Sequence, residues 1–217
     1  IKRRFVDNYF FAKLLEIYEI NDALLDDEED DAVCSVLLEE VPKYDVVIVI
    51  DFGHSMLSKR AIEILRNKSK FLAVNAQSNA GNLGYHSLSK YIGQDYMTST
   101  EGELRLEARD HRGDLKKIVR AVYDKLRCKQ MVVTRGRRGC LCYSEAGGMV
   151  EIPAVATKVV DRIGAGDSFL SISALLAAQG APMEVIGLTG NVAGALAVNT
   201  VGNRTPIDRA ALMKHIE

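Results

Sequence analysis

The sequence predicts a layered α/β fold with a parallel sheet. Three observations carry this. Asp45-Val-Val-Ile-Val-Ile50 is a continuous β-branched run, the pattern of a parallel strand covered on both faces. Short apolar runs alternate with helical segments through the middle of the chain, as in βαβ units. Right-handed crossovers between such units place the loop ends of successive strands on one edge, where open α/β sheets bind ligands.

The elements follow in order. Residues 1–20 alternate roughly between basic or polar and apolar groups, through Phe5, Val6, Phe10, Phe11, Leu14 and Leu15. An extended hairpin and a short helix both fit this pattern. The six acids from Asp26 to Asp31 suit a helix start, and consecutive residues do not converge on one point as metal ligands must. Residues 32–41 read as a short amphipathic helix ended by Pro42. Residues 44–50 form the first strand of the sheet, and Asp51-Phe-Gly-His-Ser55 follows it. A helix over 58–67 leads to a strand over 71–74 and the amide-rich loop Asn75-Ala-Gln-Ser-Asn79. Residues 87–91 are helical, 96–99 form a strand, and 101–108 begin a helix. Over 114–126, Leu115, Ile118, Val119, Val122 and Leu126 recur at helical spacing. A strand over 131–134 precedes a hairpin of 140–143 and 149–152 around Gly147-Gly148. Helices over 168–179 and 184–200 complete the pattern, the second ending at Gly202.

Composition removes several classes. Of the 217 residues, 26% are charged and 47% belong to the hydrophobic class, which is ordinary for a globular chain. No apolar run approaches the ~18 residues that cross a bilayer. Lys and Arg number 28 against 29 Asp and Glu, so no bulk positive charge grips nucleic acid or anionic lipid. Cys34, Cys128, Cys140 and Cys142 lack zinc-ligand spacing and read as four buried thiols of a reducing compartment. The first residues also carry no secretory pattern, and a cytoplasmic protein is expected. His54, His86, His111 and His215 are scattered without ligand spacing, against a zinc enzyme.

The chemistry concentrates in Asp161-Arg-Ile-Gly-Ala-Gly-Asp167. Its glycines let backbone approach a ligand closely. The turn opens a helix, whose free N–H groups and dipole favour an anion. Asp167 stands beside that anion site, where a carboxylate is costly unless it acts as a general base. Phosphoryl transfer to an alcohol needs these parts: charge stabilisation on the moving group and a base for the acceptor hydroxyl. Gly-x-Gly alone is a weak signal, and a tight turn with a helix-start carboxylate explains it equally well.

A resemblance extends the argument. Asp161-Arg-Ile-Gly-Ala-Gly-Asp167 is similar to the D-T-x-G-A-G-D signature of the ribokinase-like (PfkB) carbohydrate kinases. Val133-Thr-Arg-Gly-Arg-Arg-Gly139 resembles the family's V-T-x-G-x-x-G segment, and Ala197-Val-Asn-Thr-Val-Gly202 its closing A-V-x-x-x-G. Thr98-Ser-Thr-Glu-Gly-Glu103 stands where the family has N-x-x-E, with Thr100 in place of Asn. Asp51-Phe-Gly-His-Ser55 looks like the D-Y-G-K-G of the heptose-phosphate kinase branch, with His54 and Ser55 as departures.

The resemblance implies a ribokinase-like α/β/α sandwich with a mostly parallel central sheet, and an ATP- and Mg2+-dependent kinase of a sugar or sugar phosphate, with heptose phosphate favoured. Asp167 would be the base, and the amides of Gly164, Ala165 and Gly166 the anion hole. Thr134, Gly136 and Gly139 would line the nucleotide site, with Asn191 near adenine. Glu103 would organise the magnesium-bound phosphates through water. Asp161 and the Ile163 carbonyl would match a monovalent-cation (K+) loop. Asp51 would face the sugar. Apart from the resemblance, the amides of Asn75, Gln77, Asn79 and Asn82 at a strand end suit recognition of sugar hydroxyls, and an ordinary polar loop explains them equally well. The signature's second position is Arg162 instead of Thr. Residues 1–20 would be the end of a lid and 21–217 the main nucleotide-binding domain, the carboxyl-terminal two-thirds of a kinase whose first strands lie elsewhere. A homodimer and a fused nucleotidyltransferase domain are further implied partners. Arg135, Arg137 and Arg138 fit either a phosphate clamp or a solvated turn. The rival reading is a non-catalytic nucleotide- or sugar-binding regulatory domain on the same fold, since fold does not dictate function.

Overall fold

A computed structural model describes residues 1–7, 13–21, 23–78, 81–156, 159–200 and 205–216. Strands β1 (Lys2–Val6) and β2 (Lys13–Tyr18) pair antiparallel as a separate ribbon. The hairpin alternative for residues 1–20 is therefore the observed one; Phe10 and Phe11 lie outside the described residues. Helix α1 (Asp27–Glu40) starts five residues earlier than its apolar pattern suggests. Asp26 accepts from Glu29 N, and Glu29 returns a bond to the Asp26 N–H, so the acidic run builds a capping box.

The sheet has six strands: β3 (Val47–Asp51), β4 (Leu72–Ala76), β5 (Tyr96–Thr100), β6 (Gln130–Thr134), β7 (Cys140–Ser144) and β8 (Gly148–Ile152). They lie in sequence order. Pairings from β3 to β6 are parallel, and the β7–β8 hairpin adds antiparallel strands at one edge. Strand β4 runs further than expected and takes Asn75 into the sheet.

Alternation divides the strand residues between two cores. Val49, Leu72, Val74, Met97, Met131, Val133 and Leu141 pack on one face. Against them lie α2 (Lys59–Lys68) and α4 (Leu115–Leu126), through Ile62, Leu65, Ile118, Val119, Val122 and Leu126, and α3 (Glu101–Ala108), through Leu104. Ala73, Tyr96, Val132, Cys140 and Cys142 face the other way. There they meet α5 (Ala165–Ala178) and α6 (Met183–Val198), through Phe169, Leu170, Ala174 and Ile186. Helix α7 (Arg209–Ile216), which carries no strong apolar period, was not foreseen and packs on α6.

The second face holds the site, and its packing is tight. The Tyr96 hydroxyl donates to Ser173 Oγ at 2.8 Å, and both groups are fully buried, which fastens α5 to β5. A Cβ on Gly190 would sit 2.5 Å from the Phe169 ring, so α5 and α6 approach as closely as glycine permits. A Cβ on Gly187 would meet Cys142 Sγ at 2.6 Å. All four cysteines are buried and free, as expected.

Candidate active site at the carboxyl edge of the sheet

Helix α5 begins at Ala165, three residues before the expected start. Gly164 is its N-cap at φ +79°, a left-handed conformation that glycine adopts without strain. The Gly-Ala-Gly segment is therefore the cap and first turn itself. The N–H groups of Ala165, Gly166 and Asp167 belong to that turn, where a helix offers no internal acceptor.

Two cavities meet at this point. The smaller, about 320 Å³, is lined by Asn75 in β4 and Gln77 just after it, Thr98 in β5, Glu103, Ile163, Gly164 and Asp167. Lys2 and Arg4 of the ribbon reach it from outside. The larger, about 1590 Å³, is lined by Gly136, Gly139, Ala165 and Asn191 among others. Thr100, Thr134, Arg162 and Gly166 line both. The expected anion-hole, base and nucleotide residues thus converge, although they come from segments far apart in the chain.

The small cavity is organised by hydrogen bonds. Gln77 Nε2 donates to Asp167 Oδ1 at 2.7 Å, and Gln77 N donates to the Asp51 carbonyl at 2.8 Å. The amide of Gln77 thereby ties the carboxylate to the end of β3. Sequence reasoning noted this amide-rich loop without assigning Gln77 to Asp167, because nothing local links residues 90 positions apart. Asn75 Nδ2 donates to the Thr98 carbonyl at 2.8 Å, whereas Asn75 Oδ1 is buried with no partner. Asn79, in the same loop, lies outside the described residues.

Thr100 and Glu103 form a second capping box at the start of α3. Glu103 Oε2 accepts from Thr100 N and Oγ1, both at 2.8 Å, and Oε1 accepts from Ser78 N at 3.0 Å. Threonine in place of asparagine therefore keeps both the cap and the Glu103 orientation.

The residues expected on the nucleotide side are held by backbone. Gly136 and Gly139 flank a 3-10 turn, both with positive φ. At Gly139 an added Cβ would collide with the Ile152 carbonyl and lie 2.6 Å from Ala154 N. Asn191 Nδ2 donates to the Pro153 carbonyl at 3.0 Å. Of the three arginines at this turn, Arg135 pairs with Glu151 and Arg138 with Glu101. Asp161 Oδ1 accepts from Ile163 N at 3.0 Å, and Ile163 lines the small cavity while Asp161 lines neither. Gly202 lies outside the described residues.

Asp51 departs from expectation. It shares parity in β3 with Val47 and Val49, which pack with the first core, so its side chain leaves the sheet on the face opposite α5. It is 6% exposed and lines neither cavity. Lys90 Nζ and the Tyr91 hydroxyl each donate to Oδ2 at 2.7 Å, and Gly53 N donates to Oδ1 at 2.9 Å. Burial raises its carboxyl pKa, but the bonds from Lys90, Gly53 and Tyr91 outweigh it, and the net shift is downward. Asp51 is a clamp on the segment that carries Gln77, not a wall of the cavity.

The profile of the pfkB family carbohydrate kinases matches residues 34–210. The chain belongs to this family. Curated relatives named bifunctional protein HldE, from Bradyrhizobium diazoefficiens and Nitrobacter hamburgensis, are each 26% identical over 93% of this chain. The chain spans 41% of the length of each. The fold is ribokinase-like. Phosphofructokinase-2 from Escherichia coli in complex with potassium superposes with a TM-score of 0.76 at 16% identity, covering 94% of this chain and 65% of that one. Ribokinase from Thermotoga maritima gives 0.69 at 18% identity, covering 99% and 69%. In the PfkB signature of this chain, Asp167 is thus the acid that faces the small cavity and Gly166 lies on both.

Proposed function

We propose that this chain catalyses phosphoryl transfer from ATP to a hydroxyl of a sugar or sugar phosphate, with heptose phosphate the favoured acceptor. The observation that carries this is the carboxylate of Asp167 in the first turn of α5, on the wall of a small polar cavity that adjoins a larger one at Gly166.

The chain's own groups divide the work. Asp167 takes the proton of the acceptor hydroxyl, and Gln77 fixes the carboxylate through Oδ1 so that Oδ2 is the oxygen turned to the acceptor. Asn75 Oδ1, buried and unpartnered, accepts from a further acceptor hydroxyl. The N–H groups of the first turn, at Ala165 and Gly166, stabilise negative charge at the junction. Gly136 and Gly139 let the nucleotide lie close to backbone, and Thr134 and Asn191 complete that wall. Lys2 and Arg4 bring positive charge to the small cavity, which suits an acceptor that itself bears a phosphate, although Glu16 shares both.

Magnesium fits as a substrate-borne ion. Among the described residues no three His, Cys, Asp or Glu side chains cluster into a metal cage. A magnesium ion held chiefly by phosphates needs only one or two carboxylates, and Glu103, on the wall of the small cavity, would reach it through water. When bound, it neutralises charge on the phosphates. Asp161 and the Ile163 carbonyl would hold a potassium ion beside the turn. A fused nucleotidyltransferase domain and a homodimer belong to the same proposal: the relatives are named bifunctional, and the ribbon exposes Phe5, Leu15 and Ile17.

The test is Asp167→Asn. Loss of a general base should lower kcat by about 10²- to 10⁴-fold. Nucleotide affinity, read by calorimetry, should hold. Wild-type kcat in the variant refutes the assignment. Nucleotide binding without transfer to any sugar or sugar phosphate by the wild type supports the rival binding domain.

A further inference from the structure

Arg162 occupies a position that the base and the anion hole leave unexplained. It stands two residues before the N-cap of α5 and is exposed. Four residues line both cavities, Thr100, Thr134, Arg162 and Gly166, and Arg162 is the charged one. Within the described residues it forms no ion pair. Arg4 is tied to Glu16, Arg135 to Glu151 and Arg138 to Glu101, whereas Arg109 and Arg137, which also form no ion pair among the described residues, line the larger cavity alone. A guanidinium left unpaired at the junction of two cavities, next to a helix N-terminus, is poised for an anion that spans them.

A separate observation indicates what fills the smaller cavity. Asn75 is 6% exposed, its Nδ2 is consumed by Thr98, and its Oδ1 has no partner. A buried acceptor without a donor calls for a ligand that donates, such as a hydroxyl. The acceptor alcohol then lies on the Asn75 and Asp167 side, and whatever passes from the larger cavity to it crosses at Arg162 and Gly166.

We propose that Arg162 is a catalytic residue that binds the phosphoryl group in transit, an arginine supplied within the chain itself. This rests on the phosphoryl-transfer reading above. In the step, the acceptor oxygen forms a bond to the γ-phosphorus and the bond from that phosphorus to the β,γ-bridging oxygen breaks. The bond's electron pair leaves with ADP, and the acceptor proton goes to Asp167. Charge spread over the three equatorial oxygens meets the guanidinium fork. Threonine, the residue of the family signature here, offers one hydroxyl and no charge.

The test uses the full chain, wild type beside Arg162→Ala and Arg162→Lys, with thermal unfolding to confirm that the variants fold. The first probe is ADP with magnesium, titrated by calorimetry with and without aluminium fluoride, which mimics the planar phosphoryl group. The wild type should bind the fluoride complex at least about 100-fold more tightly than ADP alone. Arg162→Ala should lose that preference and keep its ADP affinity. Arg162→Lys should recover only part, because an ammonium lacks the fork. The second readout is turnover: kcat for transfer to an aldose phosphate should fall about 10³-fold in Arg162→Ala. Added guanidinium ion should restore part of it. A preference retained in Arg162→Ala, or absent in the wild type that binds ADP, overturns the role of Arg162 alone. Failure of the wild type to bind ADP overturns the phosphoryl-transfer reading beneath it.

Discussion

Replacing Asp51 by asparagine tests how the site is held together. Asparagine keeps the shape and one carbonyl oxygen, so the bond from Gly53 N at 2.9 Å survives. The charged oxygen that receives Lys90 Nζ and the Tyr91 hydroxyl, both at 2.7 Å, is lost. Two bonds to a charged group at about 1.5 kcal/mol each make about 3 kcal/mol, within the range for breaking a buried pair. In a chain of this size that lowers Tm by about 9 °C. Lys90 can swing toward water, but Tyr91 is 1% exposed and has nowhere to turn, which keeps the cost from vanishing.

The effect also has a sign in pH. The folded carboxyl of Asp51 lies below its ordinary value, so the unfolded chain takes up the proton first as pH falls. The stabilisation is complete above the ordinary carboxyl value of about 3.9 and drains away below it. His86 faces the same carboxylate, with Nε2 at 3.8 Å from Oδ2 and 3.1 Å from the Asp51 carbonyl oxygen. Urea unfolding of both proteins from neutral pH down to about pH 3 is the assay. The stability gap between them should be flat near neutrality and narrow under acid. A gap below about 1 kcal/mol at neutral pH, or one that widens in acid, would refute the clamp.

Gly139→Ala should destabilise the chain by several kcal/mol, about 3 at least, since the Cβ meets Ile152, Pro153 and Ala154 backbone at a positive φ; chemical denaturation measures it. Gly166→Val should leave Tm within a few degrees, because no atom lies within 4 Å of an added Cβ, yet it should abolish nucleotide binding and turnover. Gln77→Leu removes the 2.7 Å bond to Asp167 and should reduce kcat about 10-fold, equivalent to ~1.4 kcal/mol, with little change in KM for ATP. An unchanged kcat there would show that Asp167 needs no such support.

Much of the molecule is written locally. The β-branched run of β3, the helical spacing of α4 and the glycine turn before Asp167 each depend on a few adjacent residues, and each appears where the sequence puts it. Boundaries moved where side-chain caps overrode the apolar pattern, at Asp26 for α1. At α5 the cause is backbone instead: the left-handed turn at Gly164 caps the helix with no side-chain bond and sets its start at Ala165. The ribbon of β1 and β2 was ambiguous because a strand pair that covers no core carries no burial signal, and all of β1 is exposed.

What the chain alone could not decide is which groups meet. Asp51 and Asn75 both sit at strand ends, and sequence reasoning sent both to the ligand. Only the packing of α5 on one face of the sheet puts Asn75 on the cavity wall and leaves Asp51 on the opposite face. The Gln77 to Asp167 bond and the exposure of Arg162 to two cavities likewise arise from the sheet order and the seating of α5. Residue type and spacing fix conformations over a few residues, through sterics and short hydrogen bonds. Convergence of distant side chains follows from burial of apolar faces, which is a property of the folded chain as a whole.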